Sequence, residues 1–416
     1  MKRRPRILFV SPRLPFPLNQ GLNIRISNIL RALAEVGEVD AVCAVGLNRL
    51  RRLSDAPVAV PDWCAALTSL RLVAVPPWKA EDPIWSRNSL ARRLVAREPI
   101  SYSTFPVAPL QDRLRQLAKV ADMVWIERLF LAQPMAGLNG RVVVDLDDLE
   151  SVRLYREAAT VPSRYLRWVM RREAGRLAAA ESRAPLQFAR VAVCSPQDAR
   201  LFPAAADRVW VVPNGVDDSL LHRAPRPRVR NRLVFVGGMA YLPNEQAVLY
   251  FVRQILPRIR AAVPDVSLAI VGLNPPKTVR ELHDRHTVSV HADVPDVAPF
   301  VQEAAVSVVP LLVGGGTRLK ILESLALGTP VVSTTVGAEG LDLDDNEHLL
   351  LADSPEDFAA AVVRLMRDGD TSRRIAQRGQ KRVAERYLWS AIRAAVASRV
   401  LELTGTQGPA ALPASL

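Results

Sequence analysis

Short apolar runs recur along the whole chain with amphipathic stretches between them, and this alternation limits the fold more than any other feature. In the first half the runs are RILFV (6–10), VDAVCAV (39–45), LRLVAV (70–75), MVWIE (123–127), RVVVDL (141–146) and VAVCS (191–195). In the second half they are VWVVP (209–213), RLVFVGG (232–238), VSLAIVG (266–272), VSVH (288–291), VSVVPLL (306–312) and TPVVST (329–334). Runs this short and this apolar suit strands buried on both faces. Between them, IRISNILRALAEVG (24–37) places Ile26, Ile29, Leu30 and Leu33 at helical spacing and stops at Gly37. NEQAVLYFVRQILPRIRAAV (244–263) reads as a second such helix. Strands alternating with helices predict an α/β chain with parallel sheets covered on both faces. A length of 416 residues exceeds one ordinary core. The sequence therefore predicts two doubly wound, Rossmann-like domains facing a cleft. The boundary is placed near 205, beside DRVWVVPNGVD, giving domains 1–205 and 206–385, a helix at 386–403 and a disordered tail at 404–416.

Several classes fall away on composition. Cys43, Cys64 and Cys194 lack CxxC spacing, and the five histidines form no HExxH pattern, which argues against a disulfide framework and a zinc site. The N-terminal apolar run is cut short by Arg13 and prolines, and no 18-residue apolar stretch follows, so a cytoplasmic protein is expected. No GxGxxG follows the first strand, which disfavours a nicotinamide dehydrogenase, and no nucleic-acid-binding motif is present. Residues 1–200 hold 31 Lys+Arg against 19 Asp+Glu, and residues 201–416 hold 24 against 23. Nearly all the positive excess lies in the first half, which suits an anionic surface; arginine-rich coding would give the same count.

In open parallel sheets, ligands bind beyond the carboxyl ends of strands. GGGTRLKILESLALGTPVV (314–332) lies at such an end. Glycines at a turn that opens a helix bring bare N–H groups and the helix dipole towards an anion, above all a phosphate. Arg318 and Lys320 add charge, Thr317 is placed to cap the helix, and Glu323 follows one turn later. The helical wheel puts Lys320, Glu323 and Ser324 on one face and Leu319, Leu322 and Ala326 towards the core. Two cations beside a carboxylate suit a nucleotide diphosphate, with the carboxylate for ribose hydroxyls.

Three further segments stand at strand ends or on helices. VVPNGVD (211–217) holds an Asn-Gly turn, with Asn214 either facing the cleft or simply turning the chain. In PRLPFPLNQGLNIR (12–25), Gly21 and Arg25 lie where a loop enters the first helix. VVVDLDDLE (142–150) ends a strand with Asp145, Asp147 and Asp148, a set that hints at a metal or at helix capping. The stretch 155–177 mixes arginines with Tyr165, Leu166, Trp168, Val169 and Met170, and suits either a membrane surface or a helix packing Leu166, Val169 and Met170 inward.

With VVPNGVD, LVFVGGMAYLPNEQAV (233–248), GGGTRLKILESLALGTPVVST, VGAEGL (336–341), ILFVSPRLPFPLNQGLNIRISNIL and ERYLWS in this order, the chain resembles the family-4 retaining glycosyltransferases of the GT-B fold. The resemblance implies an enzyme that moves a sugar from a nucleotide diphosphate sugar to a hydroxyl acceptor, a glycan or lipid-linked intermediate, with retention. Residues 1–205 would form the acceptor side and 206–385 the nucleotide-sugar side. It assigns donor contacts to Gly237, Gly238, Asn244, Gly315, Gly316, Thr317, Arg318, Leu319, Lys320 and Glu323, with Arg318, Lys320 and Glu323 carrying catalysis. Gly21, Arg25, Asp148 and Asn214 fall on the acceptor or cleft side. It implies no cofactor beyond the sugar nucleotide, no essential metal and no nucleic-acid partner, and it allows peripheral contact with an anionic inner membrane face.

The sequence departs from the family's donor-side pattern at three places, besides a single Gly21 where many members have two glycines and Asp147 where members often carry His. Gly315 stands where the first glutamate of the E-x7-E pattern belongs. Gly238 and Pro243-Asn244 stand where an arginine and a lysine usually follow the first C-domain strand. Arg318 and Lys320 are the expected replacements from the opposite side of the site. These departures keep open a non-catalytic GT-B subunit that binds a partner or membrane. A nucleotide-sugar epimerase is the enzyme rival.

Overall fold

Two parallel sheets with the same strand order build the protein. A computed structural model describes residues 3–18, 20–46, 60–75, 98–100, 102, 108–132, 135, 141–239, 241–284, 286–314 and 318–405. The first sheet contains β1 (Arg6–Ser11), β2 (Glu38–Gly46), β3 (Ser69–Val75), β4 (Met123–Glu127), β5 (Val142–Asp147), β6 (Arg190–Val193) and β7 (Val209–Val211), in the order β3-β2-β1-β4-β5-β6-β7. The second contains β8 (Arg232–Val236), β9 (Ser267–Gly272), β10 (Val288–Ala292), β11 (Val306–Val309), β12 (Val331–Ser333) and β13 (Leu350–Leu351), in the order β10-β9-β8-β11-β12-β13. In each, the order reverses beside the first strand, between β1 and β4 and between β8 and β11. Such a switch point leaves a crevice at the carboxyl ends of its two strands.

Helix α1 (Gly21–Val36) follows β1 and buries Ile26, Ile29, Leu30 and Leu33. Gly37 closes it for a packing reason: a Cβ there would lie 2.5 Å from Ile7 Cδ1 and 2.8 Å from the Pro5 carbonyl oxygen. Helices α2 (Glu150–Thr160) and α3 (Arg164–Gln187) follow β5 as a hairpin. The run expected as one helix over 244–263 is divided. Helix α4 (Leu242–Tyr250) passes through a π turn at Phe251–Ile255 before a second helix, Leu256–Ala262. Pro257 has no N–H to offer the preceding turn, and the π turn absorbs the mismatch. Helix α5 (Leu319–Ala326) follows β11, and α6 (Trp389–Leu403) ends the described fold.

The chain divides into one unit of Met1–Pro213 with Ile392–Leu416 and another of Asn214–Ala391. The sequence placed this division near 205 and read VWVVP as the opening strand of the second domain. Instead β7 extends the first sheet, with Val191 opposite Val209 and Val193 opposite Val211. Two matching apolar strands are indistinguishable by composition; only pairing decides which sheet takes them. The first unit also takes in α6 from Ile392, where Arg393 donates to Asn28 Oδ1 (2.9 Å) and Arg399 to the Val211 carbonyl (2.8 Å). The expected tail at 404–416 lies outside the described residues from 406 on. Among the described residues, no helix is long and apolar enough to cross a membrane.

Candidate donor site in the second unit

The carboxyl ends of β8 and β11 bring most of the described candidate residues together. Beyond β8 the chain enters Gly237-Gly238 and then α4, which carries Asn244. Beyond β11 it passes Gly314 and enters α5, which carries Lys320 and Glu323. The Lys320 ammonium donates to Asn244 Oδ1 at 2.7 Å, and Asn244 Nδ2 donates to the Gly238 carbonyl at 2.9 Å. The Phe235 ring lies under the same ammonium, 4.3 Å from its centroid. A cation over a ring face is held by the ring quadrupole without being neutralised.

Two glycines make this packing possible. A Cβ on Gly237 would meet Asn244 Nδ2 at 2.9 Å and Lys320 Nζ at 3.0 Å. A Cβ on Gly272, at the end of β9, would stand 1.7 Å from the Gly237 carbonyl oxygen, so that position admits no side chain. Gly238 has open space around its missing Cβ.

The charges at α5 are strongly perturbed. Burial, reinforced by the Arg318 charge and partly opposed by Glu323, pulls Lys320 down to about 7. Burial pushes Glu323 up, against the opposing pull of Lys320. Both side chains still keep partial solvent contact. Among the described residues no carboxylate lies within ion-pair distance of Lys320. Arg318 is 6% exposed and stands at the helix entrance, its guanidinium folded over Gly314. Gly314 has φ +147°, and a Cβ there would come within 2.9 Å of Arg318 Nη2. Leu319 packs half-buried against the unit's core. Gly315, Gly316 and Thr317, the middle of the predicted phosphate loop, lie outside the described residues.

One face assignment is corrected. Ser324 was expected beside Lys320 and Glu323, but it is 1% exposed, with its Oγ 2.8 Å from Ser307 Oγ and 2.7 Å from the Lys320 carbonyl. A small hydroxyl that bonds back to the preceding turn can lie on the core side of a helix. Sequence reasoning missed Phe235 and Gly272; the only signal for either was a position at the end of an apolar run.

The first unit treats its candidates differently. Gly21 opens α1 and is exposed. Arg25 was expected on the acceptor side, yet its side chain is fully buried. It donates from Nε and Nη2 to Asp145 at 3.0 and 2.8 Å and from Nη1 to the Val212 carbonyl at 2.8 Å, with Asp147 3.6 Å away. Burial works against its charge, but Asp145 and Asp147 overcome it and hold Arg25 protonated. Arg25 is therefore a structural cation. Glu127, at the end of β4, is 0% exposed, and burial, reinforced by the neighbouring Asp145, pushes its carboxyl well above the ordinary glutamate range. Arg128 and Asp147 adopt positive φ (78° and 56°) at the ends of β4 and β5, a strained conformation for these residues.

Asp148 is half-buried, and the Cys194 thiol points towards it and towards Asp198, at 3.6 Å in each case. Asp147, Asp148 and Cys194 place one potential ligand atom each within 4.8 Å of one another. Burial, reinforced by these acids, pushes the Cys194 thiol far up, in keeping with its donating to Asp148 and Asp198. Asn214, expected towards the cleft, is buried at 8% exposure. Its motif serves the second unit's scaffold: Val216 N–H bonds the Tyr387 carbonyl, and Trp389 N–H bonds the Val216 carbonyl.

Residues 230–368 match the family described as "Glycosyl transferases group 1". The chain is 29% identical over 207 residues to a phosphatidyl-myo-inositol mannosyltransferase of Mycobacterium leprae, covering 47% of this chain and 54% of that protein. It is 30% identical over 221 residues to a D-inositol 3-phosphate glycosyltransferase of Acidothermus cellulolyticus, covering 45% and 47%. The chain thus spans about half the length of the curated relatives it matches. Among solved structures, sucrose-phosphate synthase from Thermosynechococcus elongatus superposes with a TM-score of 0.67 at 18% identity, over 97% of this chain and 100% of that one. Anabaena Alr3699/HepE in complex with UDP superposes at 0.64 and 14% identity, over 95% and 100%. The architecture is that of the GT-B glycosyltransferases.

Proposed function

We propose that this chain, whose residues 230–368 form a glycosyl transferases group 1 domain, transfers a sugar from a nucleotide diphosphate sugar to a hydroxyl acceptor with retention of anomeric configuration. The observation that carries the reading is Lys320: a cation at the β8/β11 switch point, held by an amide and a ring face, with no described carboxylate paired to it. A diphosphate completes that set. Lys320 and Arg318 would take the charge that develops on the leaving phosphate, as fixed charges do in a site of low dielectric. The N-terminus of α5 adds its N–H donors. Glu323, one turn further along, would accept from ribose hydroxyls. The departing phosphate then takes the acceptor's proton on the same face, so no protein base is assigned. No metal is assigned either, because two cations already face the diphosphate position.

A nucleotide diphosphate as donor is supported by the UDP complex of a protein with this fold. A lipid-linked or polyol acceptor is supported by the names of two relatives, a phosphatidyl-myo-inositol mannosyltransferase and a D-inositol 3-phosphate glycosyltransferase. The test is an assay of the purified chain with UDP-, GDP- and dTDP-sugars and inositol lipids, the product's anomeric centre being read by NMR. The expected result is nucleotide diphosphate release with the donor's anomeric configuration kept. An inverted product would overturn retention, and no release from any donor would overturn transfer.

A further inference from the structure

The hairpin α2–α3 has a small core of its own, formed by Leu154, Ala158, Met170, Ala174 and Leu177. Its outer side carries three large aromatics in solvent: Tyr155 at 57%, Tyr165 at 50% and Trp168 at 49% exposure. Clustered aromatics left in water mark a surface made to meet something. The rings are already arranged. Tyr165 and Trp168 stack with centroids 6.5 Å apart and planes 26° apart. The Arg171 guanidinium lies 5.5 Å over Tyr155, and that of Arg172 lies 5.7 Å over Trp168.

The charge is one-sided. Residues 150–187 hold eight arginines and four glutamates. Three of the glutamates are engaged within the fold: Glu157 by Arg153 at 2.7 Å, Glu173 by Arg176 at 3.1 Å, and Glu181 by the Ser151 N–H at 3.2 Å. Arg164, Arg171 and Arg172 lie on the exposed side with the rings.

We propose that this face docks on an anionic phospholipid surface, with Tyr155, Tyr165 and Trp168 at headgroup level and Arg164, Arg171 and Arg172 against lipid phosphates. Tyrosine and tryptophan are the side chains whose apolar body and polar tip suit that depth. Protein interfaces also favour tyrosine, tryptophan and arginine; what selects a lipid surface here is the one-sided positive charge. A second copy of the chain would set this positive face against itself, which like charge opposes. The inference extends the lipid-linked acceptor reading, and its test requires no sugar transfer.

The full chain is sedimented with phosphatidylglycerol vesicles and with phosphatidylcholine vesicles. Binding to the first and not the second is expected, weakening as salt rises. Arg171→Gln and Arg172→Gln should each lower partitioning about fivefold, the equivalent of about 1 kcal/mol for one basic residue at a charged surface. Trp168→Ala with Tyr165→Ala should lower it further without changing the thermal midpoint or nucleotide binding. Where that variant fails to fold, Arg164→Gln with Arg171→Gln carries the test. Equal binding by the variants and the wild type overturns the proposal. So does wild-type protein that ignores phosphatidylglycerol, that dimerises through this face instead, or that prefers single-stranded DNA to vesicles. Vesicle binding without transferase activity would keep this inference and remove the transferase reading.

Discussion

Each sheet reverses its strand order beside its first strand, and each switch point holds a buried or half-buried cation, but the two cations have opposite surroundings. Arg25 in the first unit is enclosed by Asp145 and Asp147 and has no solvent contact. Lys320 in the second unit has an amide, a ring face and a like charge for neighbours, with Glu323 near enough to favour its charge but beyond ion-pair distance. A cation already neutralised by carboxylates has little left to give a ligand and serves the scaffold. One without a paired acid lowers its free energy by accepting an anion. The difference turns on contact partners, and it separates two residues that a motif search ranks alike.

The comparison breaks most visibly at Arg25. Arg25→Ala leaves Asp145 buried without its cation, while Asp147 keeps Arg128 at 3.3 Å, and breaking such a buried pair typically costs about 3–5 kcal/mol. Chemical denaturation should show the first unit destabilised, and an unchanged midpoint would make Arg25 a surface residue in effect. Lys320→Ala should behave in the opposite way. Its nucleotide diphosphate affinity should fall by about ten- to a hundredfold, the loss of one charge-assisted hydrogen bond, with the fold intact.

Lys320 also predicts a pH signature. Its folded value lies near 7, below the ordinary lysine value of 10.5. Between those values the unfolded chain binds more protons, so stability rises with pH across that window. Anion binding favours the charged form, so affinity should fall as pH rises past about 7. Lys320→Met should flatten both profiles in denaturation and titration series.

The smallest effect concerns Glu127. Its folded value is raised, so the folded state binds the extra proton and stability falls as pH climbs above the ordinary glutamate range. Glu127→Gln keeps the shape of the protonated carboxyl, with an amide oxygen to accept from Trp125 Nε1 (3.2 Å), and should change stability least at low pH. The same denaturation series should show that the variant loses the decline at higher pH.

Much of the fold could be read from the sequence because buried parallel strands announce themselves as apolar runs. The boundary could not be read, since Val209–Val211 satisfies either sheet and only hydrogen bonding to β6 decides. At the candidate site, glycine turns and helix charges located the β8 and β11 ends, since both signals are local in sequence. Arg25 and Ser324 were misread because what fixes them is distant: Asp145 lies 120 residues from Arg25, and Ser307 lies 17 from Ser324. Asn244 stood out only as a departure from a family pattern. The structure shows it holding the ammonium that approaches from the neighbouring crossover.

The most direct test of a donor site at the second switch point is calorimetric titration of UDP, GDP, dTDP and CDP into wild-type protein and the Lys320→Ala and Glu323→Ala variants. Repeating it near pH 7 in buffers of different ionisation enthalpy counts the protons exchanged. Selective binding of one nucleotide diphosphate with net proton uptake is expected, with loss of both affinity and uptake in Lys320→Ala. Binding that is equally tight in Lys320→Ala, or that takes up no proton, would contradict that expectation.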